Sequence, residues 1–461
     1  MGISRDPHFR GDDDKNNMLG KEKLKQIANQ VLALSSADQM EVLLSVGGHM
    51  LTRFANNEIH QNMAWQDLGV SVRVIIDNKI GVASTNSFEP EALKKVVAKA
   101  IELAHVQEPD PDFVSLPKPS KGSDISETCV FATESELASG VATIIAKAKQ
   151  AGLVGSGAYA NEVSELVVAN SLGLFSYHKG ASCNLSTIVL GKTSSGFAGD
   201  VGKTTQDIDA PKIATIAVTK TLESKDPEAG EPGAYDVILE PQAVSELMAF
   251  FQFYGPNARM YHEQASCLSG KMGEKVFGEN VTIFDDPFHE LVFPMPFDYE
   301  GYPKKKLTII EKGILKNVCY DSYHANKFHA DNTGHALPAP NTMGPIPLHL
   351  YLAPGDKTRD ELIAGIKKGI LVTRLWYVRV LNPKALNITG MTRDGTFLIE
   401  NGKVTKPLKN MRFNQSIPEA LNNVVSIENK LTQLASFEGE LIGLAPTVHI
   451  KNWHFSSATL F

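Results

Sequence analysis

Thr52-Arg53-Phe54-Ala55-Asn56 is answered 114 residues later by Leu166-Val167-Val168-Ala169-Asn170, and Gly81-Val82-Ala83 is answered by Gly196-Phe197-Ala198, 115 residues on. Between these markers the run Val70–Ile76, alternating before it turns continuously apolar, is matched by Cys183–Leu190. A helix follows each time, one starting near Ser87 and the other near Asp209, each with an early proline (Pro90, Pro211) suited to a first helical turn. A strand–turn–strand–strand–helix unit cannot bury its apolar face alone, so its recurrence predicts a duplicated α+β lobe. Leu24, Ile27, Ala28, Val31 and Leu32 recur at helical spacing and predict a helix over about Lys21–Leu34. The helix capped by Asn86-Ser87 should bury Leu93, Val96, Val97, Ala100 and Ala104, and another helix is expected over about Glu134–Ala151. Glu41–Val46 and Leu51–Phe54 are read as two strands. Residues 106–125, with Pro109, Pro111, Pro117 and Pro119, are read as a wrapping loop.

The turn-rich stretch Asp226–Gly233 divides the chain. With 461 residues, more than one core usually serves, two domains are expected: an N-terminal α+β domain over 18–228 and a C-terminal, antiparallel β-rich domain over 229–461. The overall class is α+β. After the boundary a strand is expected at Tyr235–Glu240 and a helix at Pro241–Phe253, with Val244, Leu247, Met248 and Phe251 facing inward. Further strands are expected at Thr308–Ile310, Gly344–Leu352, Leu371–Val380, Gly395–Ile399 and Thr447–Ile450, with helices near Arg359–Lys368 and Ile417–Ile427. Asp394-Gly395 and Asn401-Gly402 are hairpin signals. Residues 1–17 contain Gly11-Asp12-Asp13-Asp14-Lys15, which looks like the remnant of an engineered protease site, and Met18 makes a natural start.

With 45 basic and 52 acidic residues the net charge is −7, a poor match to phosphate backbones, so no direct nucleic-acid partner is expected. The four cysteines (Cys129, Cys183, Cys267, Cys319) lie far apart without a C-x-x-C pair, which fits a reducing compartment. No apolar run is long enough for a membrane span and no cleavable leader is visible, so a cytoplasmic protein away from the membrane is expected. There is no G-x-S-x-G elbow and no Walker loop; Gly191-Lys192-Thr193 lacks the preceding glycine frame and is read as a strand-end turn. Asp298 and Glu300 are paired carboxylates suited to acid–base work or to holding a turn. His262-Glu263-Gln264-Ala265-Ser266-Cys267 could offer nitrogen and sulfur ligands, but a solvated His-Glu pair beside a buried cysteine is the favoured reading. His324, His329 and His335 form a loose cluster with Asp331; the five-residue spacing of the first two does not place them on one helical face.

Several segments in order resemble the TldD/PmbA family, whose members were long named modulators of DNA gyrase and are regarded as peptidases. They are R-F-A-N-N at Arg53–Asn57, V-R-V-I-I-D-N-K-I-G-V-A at Val72–Ala83, S-C-L-S-G-K-M-G-E at Ser266–Glu274 and F-D-Y-E-G at Phe297–Gly301. I-I-E-K-G-I-L at Ile309–Leu315, N-T-G-H-A at Asn332–Ala336 and D-G-T-F-L-I-E-N-G-K at Asp394–Lys403 complete the series. The resemblance implies dimers that enclose a cavity. It also implies two kinds of chain: TldD-like chains with a His-Glu-x-x-x-His zinc motif and a C-terminal cysteine ligand, and PmbA-like chains without them. Two imidazoles and a thiolate hold Zn²⁺ with one position open for water, and the glutamate serves as base. At the matching helix this chain has Ala249, Phe250 and Tyr254 in place of the three motif residues, and no cysteine follows Cys319. It is therefore read as the metal-free, PmbA-like type, with no cofactor. Its implied partners are a TldD-like zinc peptidase chain or a second copy in a homodimer, together with unfolded peptide. Asp298, Glu300, Thr333, Gly334 and His335 are the candidate substrate-binding residues. The other readings are a stand-alone homodimeric peptide-binding or regulatory protein and a peptidase with a relocated metal site.

Overall fold

The computed structural model describes residues 18–120, 129–434 and 443–459; the tag-like segment 1–17 lies outside them. The first lobe runs α1 (Lys21–Leu32), β1 (Gln39–Ala55), β2 (Glu58–Ile76), β3 (Lys79–Thr85), α2 (Pro90–Val106), then α3 (Glu134–Gln150), β4 (Val154–Asn170), β5 (Phe175–Leu190), β6 (Ser195–Gly202) and α4 (Ala210–Glu223). The two halves share one element order, helix–strand–strand–strand–helix, as the repeat predicts. Two antiparallel meanders join edge to edge through β1 and β4 into one sheet, ordered β3-β2-β1-β4-β5-β6. The spacing of the repeat does not persist into the last helix: Pro211 follows Pro90 by 121 residues, because a short 3-10 turn at Thr205–Asp207 precedes α4.

Local chemistry sets the turns. Asn56-Asn57 and Asp77-Asn78 all have positive φ, which gives hairpins matched to the right-handed strand twist. The helix stripes bury what periodicity selects: Leu93, Val96, Val97, Ala100 and Ala104 of α2 pack with Leu24, Ile27, Ala28 and Val31 of α1 over β1 and β2. The second half builds its own core from Leu137, Val141 and Ile144 of α3 and Ile213, Ala214 and Ala217 of α4. Two expectations change. The strands at Glu41–Val46 and Leu51–Phe54 are one strand, because pairing on both sides carries β1 through Gly47-Gly48. The N-cap of α2 is Glu89, not Asn86 or Ser87; the Ser87 hydroxyl accepts the Glu89 N–H at 3.2 Å.

The second lobe comprises β7 (Gly233–Leu239), α5 (Pro241–Tyr254), α6 (Ala258–His262), β8 (Ile283–Asp285), β9 (Leu307–Glu311), β10 (Ile314–Leu315), α7 (Ser322–Lys327), β11 (Leu350–Leu352) and α8 (Arg359–Ala364). It continues with β12 (Lys368–Asn382), β13 (Asn387–Glu400), β14 (Lys403–Pro407), β15 (Met411–Ser416), α9 (Ile417–Asn422), β16 (Val424–Ile427), β17 (Thr432–Leu434), β18 (Gly443–Ala445) and β19 (Val448–Ala458). Because β12 pairs with both β7 and β13, the strands β7-β19-β15-β13-β12 close on themselves into a barrel, from which β14 branches beside β13 and β16 beside β19. A second sheet is ordered β10-β9-β8-β11-β18-β17. One core with Phe251, Phe277, Phe413 and Trp453 joins the two.

The lobe is β-rich but not wholly antiparallel: β7 with β12, and β11 with β18, run parallel. Asn401-Gly402 forms the expected hairpin turn between β13 and β14, whereas Asp394-Gly395 lies inside β13 at a jump in its register with β12. The strand expected at Gly344–Leu352 shrinks to β11. The helix expected over Ile417–Ile427 stops at Asn422, and the remaining β-branched residues pair with β19.

Candidate functional site

The F-D-Y-E-G turn sits where the lobes meet. Asp298 Oδ1 accepts the N–H groups of Glu300 (3.0 Å) and Tyr302 (2.9 Å), and Oδ2 accepts that of Ala336 (3.0 Å). Burial and the adjacent Glu300 carboxylate push the Asp298 pKa up, against three donors that favour the ionised form. Gly301 has φ +75°, and a Cβ there would come within 2.6 Å of Leu174, so the turn is seated on the first lobe. Glu300 reaches back into that lobe. Its Oε1 lies 3.2 Å from Arg73 Nη2, which also holds Glu41 Oε2 at 2.8 Å, and its Oε2 accepts the Ser322 N–H at 3.1 Å. Burial opposes charge on Arg73, but the two carboxylates more than offset it and raise the guanidinium pKa.

The N-T-G-H-A segment enters a second buried network. His335 Nε2 meets Asp285 Oδ2 at 3.1 Å, and Nδ1 meets the Thr333 hydroxyl at 2.8 Å. Burial lowers the His335 pKa; Nε2 faces the Asp285 carboxylate and Nδ1 faces the Thr333 hydroxyl. Asp285 also accepts the His349 N–H at 2.7 Å and lies 3.9 Å from Lys304 Nζ. Although burial alone would raise it, Lys304 and His335 hold the Asp285 carboxyl well below the usual carboxylate range. Burial, reinforced by Lys304, pushes His349 down to about 3. Hydroxyl, imidazole and carboxylate follow one another as in a nucleophilic triad, but Thr333, His335 and Asp285 are all buried, and Thr333 is also tied to the backbone N–H and carbonyl of Tyr320. All four side chains among the predicted substrate-binding residues are therefore engaged with protein partners, and Gly334 supplies a positive-φ turn between them.

The three clustered histidines separate. His324 is buried against Asp321, whose Oδ1 takes both its backbone N–H and Nδ1 at 2.7 Å; His335 is in the Asp285 network; His329 is exposed, as is Asp331. The His262…Cys267 pattern separates as well. His262 stacks on Phe328 with ring centroids 3.8 Å apart, Glu263 pairs with Arg259, and burial pushes the Cys267 thiol up to about 11. Among the described residues no group of three or more His, Cys, Asp or Glu side chains is arranged to hold a metal ion.

Two features among the described residues bear on the site. One is a cavity of about 660 Å³ between the lobes, bordered by Arg73, Glu300, Asp321, His324, Phe328 and Arg259. The other is one face of α5. Val244, Leu247, Met248 and Phe251 point into the core as expected; Ala249, Phe250, Phe253 and Tyr254 are partly buried, with Phe250 and Tyr254 packed against the margin of that core. Glu240, just before the helix, is fixed by Lys220 of the first lobe at 2.9 Å and by Arg359 at 2.7 Å. The helix packs on β12 and on β11, β17 and β18. No zinc ligand stands at the three positions where the resemblance places the motif, so the donor set of this face does not fit the metal.

Sequence reasoning missed Glu41, Arg73, Asp285, Lys304 and His349. The only local signal was a charge inside an apolar alternation, as in Val72-Arg73-Val74.

Comparison with known proteins agrees with this architecture. The PmbA/TldA metallopeptidase C-terminal domain matches residues 232–457, and the PmbA/TldA metallopeptidase domain 1 matches residues 41–104. An uncharacterized protein of Methanocaldococcus jannaschii is 26% identical over 394 residues, 81% of this chain and 89% of that one. Metalloprotease PmbA of Escherichia coli O157:H7 is 23% identical over 419 residues, 87% of this chain and 89% of its own. The crystal structure of TldE from Thermococcus kodakarensis shares the fold with a TM-score of 0.86 at 24% identity, covering 94% of this chain and 100% of that one. A lobe of paired meanders joined to a β-rich lobe, matched by the family's domains on both sides of the boundary, places this chain in the TldD/PmbA family.

Proposed function

We propose that this chain is the metal-free, PmbA-like member of a two-chain peptidase system and holds unfolded peptide for a zinc-bearing TldD-like partner. The observation that carries this reading is the face of α5: Ala249, Phe250, Phe253 and Tyr254 form an uncharged, partly exposed strip at the margin of the core, on a helix that packs against β12 and the β11-β18-β17 end of a sheet. An extended peptide laid beside such an end gains main-chain hydrogen bonds that ignore its sequence, and the strip takes up its apolar side chains. That suits an unfolded substrate. In this reading Asp298, Glu300, Thr333, Gly334 and His335 brace the cavity wall, and chemistry comes from the partner's metal.

The test mixes the purified chain with a TldD-like zinc chain and a fluorescently labelled unfolded polypeptide. A stable complex and faster cleavage than by the zinc chain alone are expected. No complex and no stimulation would overturn the proposal.

A further inference from the structure

We propose that the outward face of the barrel, where β12, β13 and β15 run side by side, docks an acidic, extended segment of another protein, its carboxylates taken by Arg379, Arg393 and Arg412. Directly paired residues of neighbouring strands share a face. Trp376 pairs with Met391 and Met391 with Arg412, while Arg379 pairs with Thr389, two residues from Met391 on the same face. The opposite face of these strands is core, where Leu375, Val378 and Phe413 pack in one cluster with α5. Outside, Arg379 and Arg412 are exposed, and Tyr377 beside them is 63% exposed. Tryptophan, tyrosine and arginine are the residue types that carry most of the binding energy at protein interfaces.

The charge of this face is one-sided. Residues 374–393 and 411–416 contain Arg374, Arg379, Lys384, Arg393 and Arg412 and no Asp or Glu, within a chain of net charge −7. Arg374 is engaged with the buried Asp394 at 2.8 Å, and Arg393 lies 4.0 Å from the same carboxylate. Arg379 donates to the Val378 carbonyl at 2.7 Å instead of to an acid. Among the described residues neither Arg379 nor Arg412 forms an ion pair. Unmatched cations on one face steer and seat a partner of opposite charge.

Three details select a carboxylate-bearing segment. The aromatic rings already carry cations: guanidiniums lie over Trp376 at 4.9 Å (Arg374) and 5.0 Å (Arg393), and Arg379 lies over Tyr377 at 4.5 Å. A nucleobase would compete with a guanidinium for the ring face, whereas a carboxylate meets the edge of a fork that the ring holds in place. Main-chain pairing is also disfavoured. β7 covers β12 only over Gly369–Val372, but past that point β12 carries an extra residue against β13 near Tyr377, which has φ 51°. A bulge of this kind spoils an edge for a further strand, so recognition falls to side chains. Spacing is the third detail. With strands about 4.8 Å apart and alternate residues about 7 Å apart, Arg393 and Arg379 stand roughly 8 and 12 Å from Arg412. An extended segment with acids at alternate positions presents carboxylates about 7 Å apart, within reach of all three side chains.

This face lies across β12 from α5, and the experiment uses the full chain without a zinc-bearing chain and a probe without apolar residues, so its outcome is separate from that of the peptide-holding reading. Fluorescence anisotropy of labelled decaglutamate should show saturable binding that weakens as salt rises. Arg379→Glu with Arg412→Glu should weaken it by at least about tenfold with an unchanged circular-dichroism spectrum, because both side chains are exposed. Lys23→Glu with Lys95→Glu makes the same charge change at exposed positions of α1 and α2 and should bind as wild type does. An oligothymidylate of equal charge should bind more weakly than the peptide. No binding by the wild type, no loss in the arginine variant, an equal loss in both double variants, or tighter binding of the oligothymidylate would overturn the proposal.

Discussion

Replacing Arg73 by methionine should destabilise the protein severely, and by an amount that depends on pH. The Arg73 side chain is 12% exposed and lies between Glu41 and Glu300, 6% and 8% exposed, at 2.8 and 3.2 Å. Each pair is worth roughly 5–6 kcal/mol of Coulomb energy at an effective dielectric of about 20, most of it offset by desolvation. Removing the cation leaves two buried carboxylates facing one another, a loss of about 3–5 kcal/mol. Spread over a lobe of this size, that lowers the melting temperature by about 6–20 °C. Burial raises the Glu41 pKa above its ordinary 4.5 even with Arg73 present, and losing Arg73 raises it further. A carboxyl whose folded pKa exceeds its unfolded value stabilises the fold below the unfolded value and loses that contribution as pH rises through the folded one. The penalty of Arg73→Met is therefore largest at neutral pH and shrinks as pH falls toward 4.5. Thermal melts of Arg73→Met and of Arg73→Met/Glu41→Gln/Glu300→Gln across pH check this; the neutralised triple variant should recover more than half of the loss. A single variant melting within about 2 °C of wild type at neutral pH, or a triple variant no better than the single, would refute the reasoning.

The Asp285 network predicts a second pH dependence. His349 is neutral when folded, with its pKa pushed down to about 3 from 6.5, so the stability it contributes is complete above 6.5 and drains away as pH falls toward 3. Melts of His349→Gln should fall less steeply than wild type across that window. Lys304→Met leaves the fully buried Asp285 without its cation and should cost about 3–5 kcal/mol in denaturant unfolding. Phe250→Ser, on the partly exposed face of α5, should cost about 1–3 kcal/mol yet abolish stimulation of peptide cleavage by the TldD-like chain; unchanged stimulation would remove that face from peptide binding.

What the sequence made legible was local. The helix stripe Leu93–Ala104, the turns Asp77-Asn78 and Asn401-Gly402, and the inward face of α5 follow from spacing and from residues that tolerate positive φ. The duplicated lobe was legible because both halves repeat the same local pattern. Where a partner decides, the sequence was silent. β1 runs through Gly47-Gly48 because strands flank it, and Asp394-Gly395 stays within β13, where Asp394 pairs with Arg374 at 2.8 Å and accepts from Ser195 at 2.6 Å. Closure of the barrel depends on pairings between β12 and strands distant in sequence. The buried networks were illegible for the same reason: Glu41, Arg73 and Glu300, like Asp285, Lys304 and His349, come from separate segments that only the fold brings together.

The central claim is that any cleavage chemistry comes from a partner and not from this chain. Its most direct test is the zinc content of the purified chain by elemental analysis after dialysis against micromolar zinc. With Ala249, Phe250 and Tyr254 at the motif positions, the account predicts less than about a tenth of an equivalent per chain. A tightly held zinc near one equivalent per chain would contradict it.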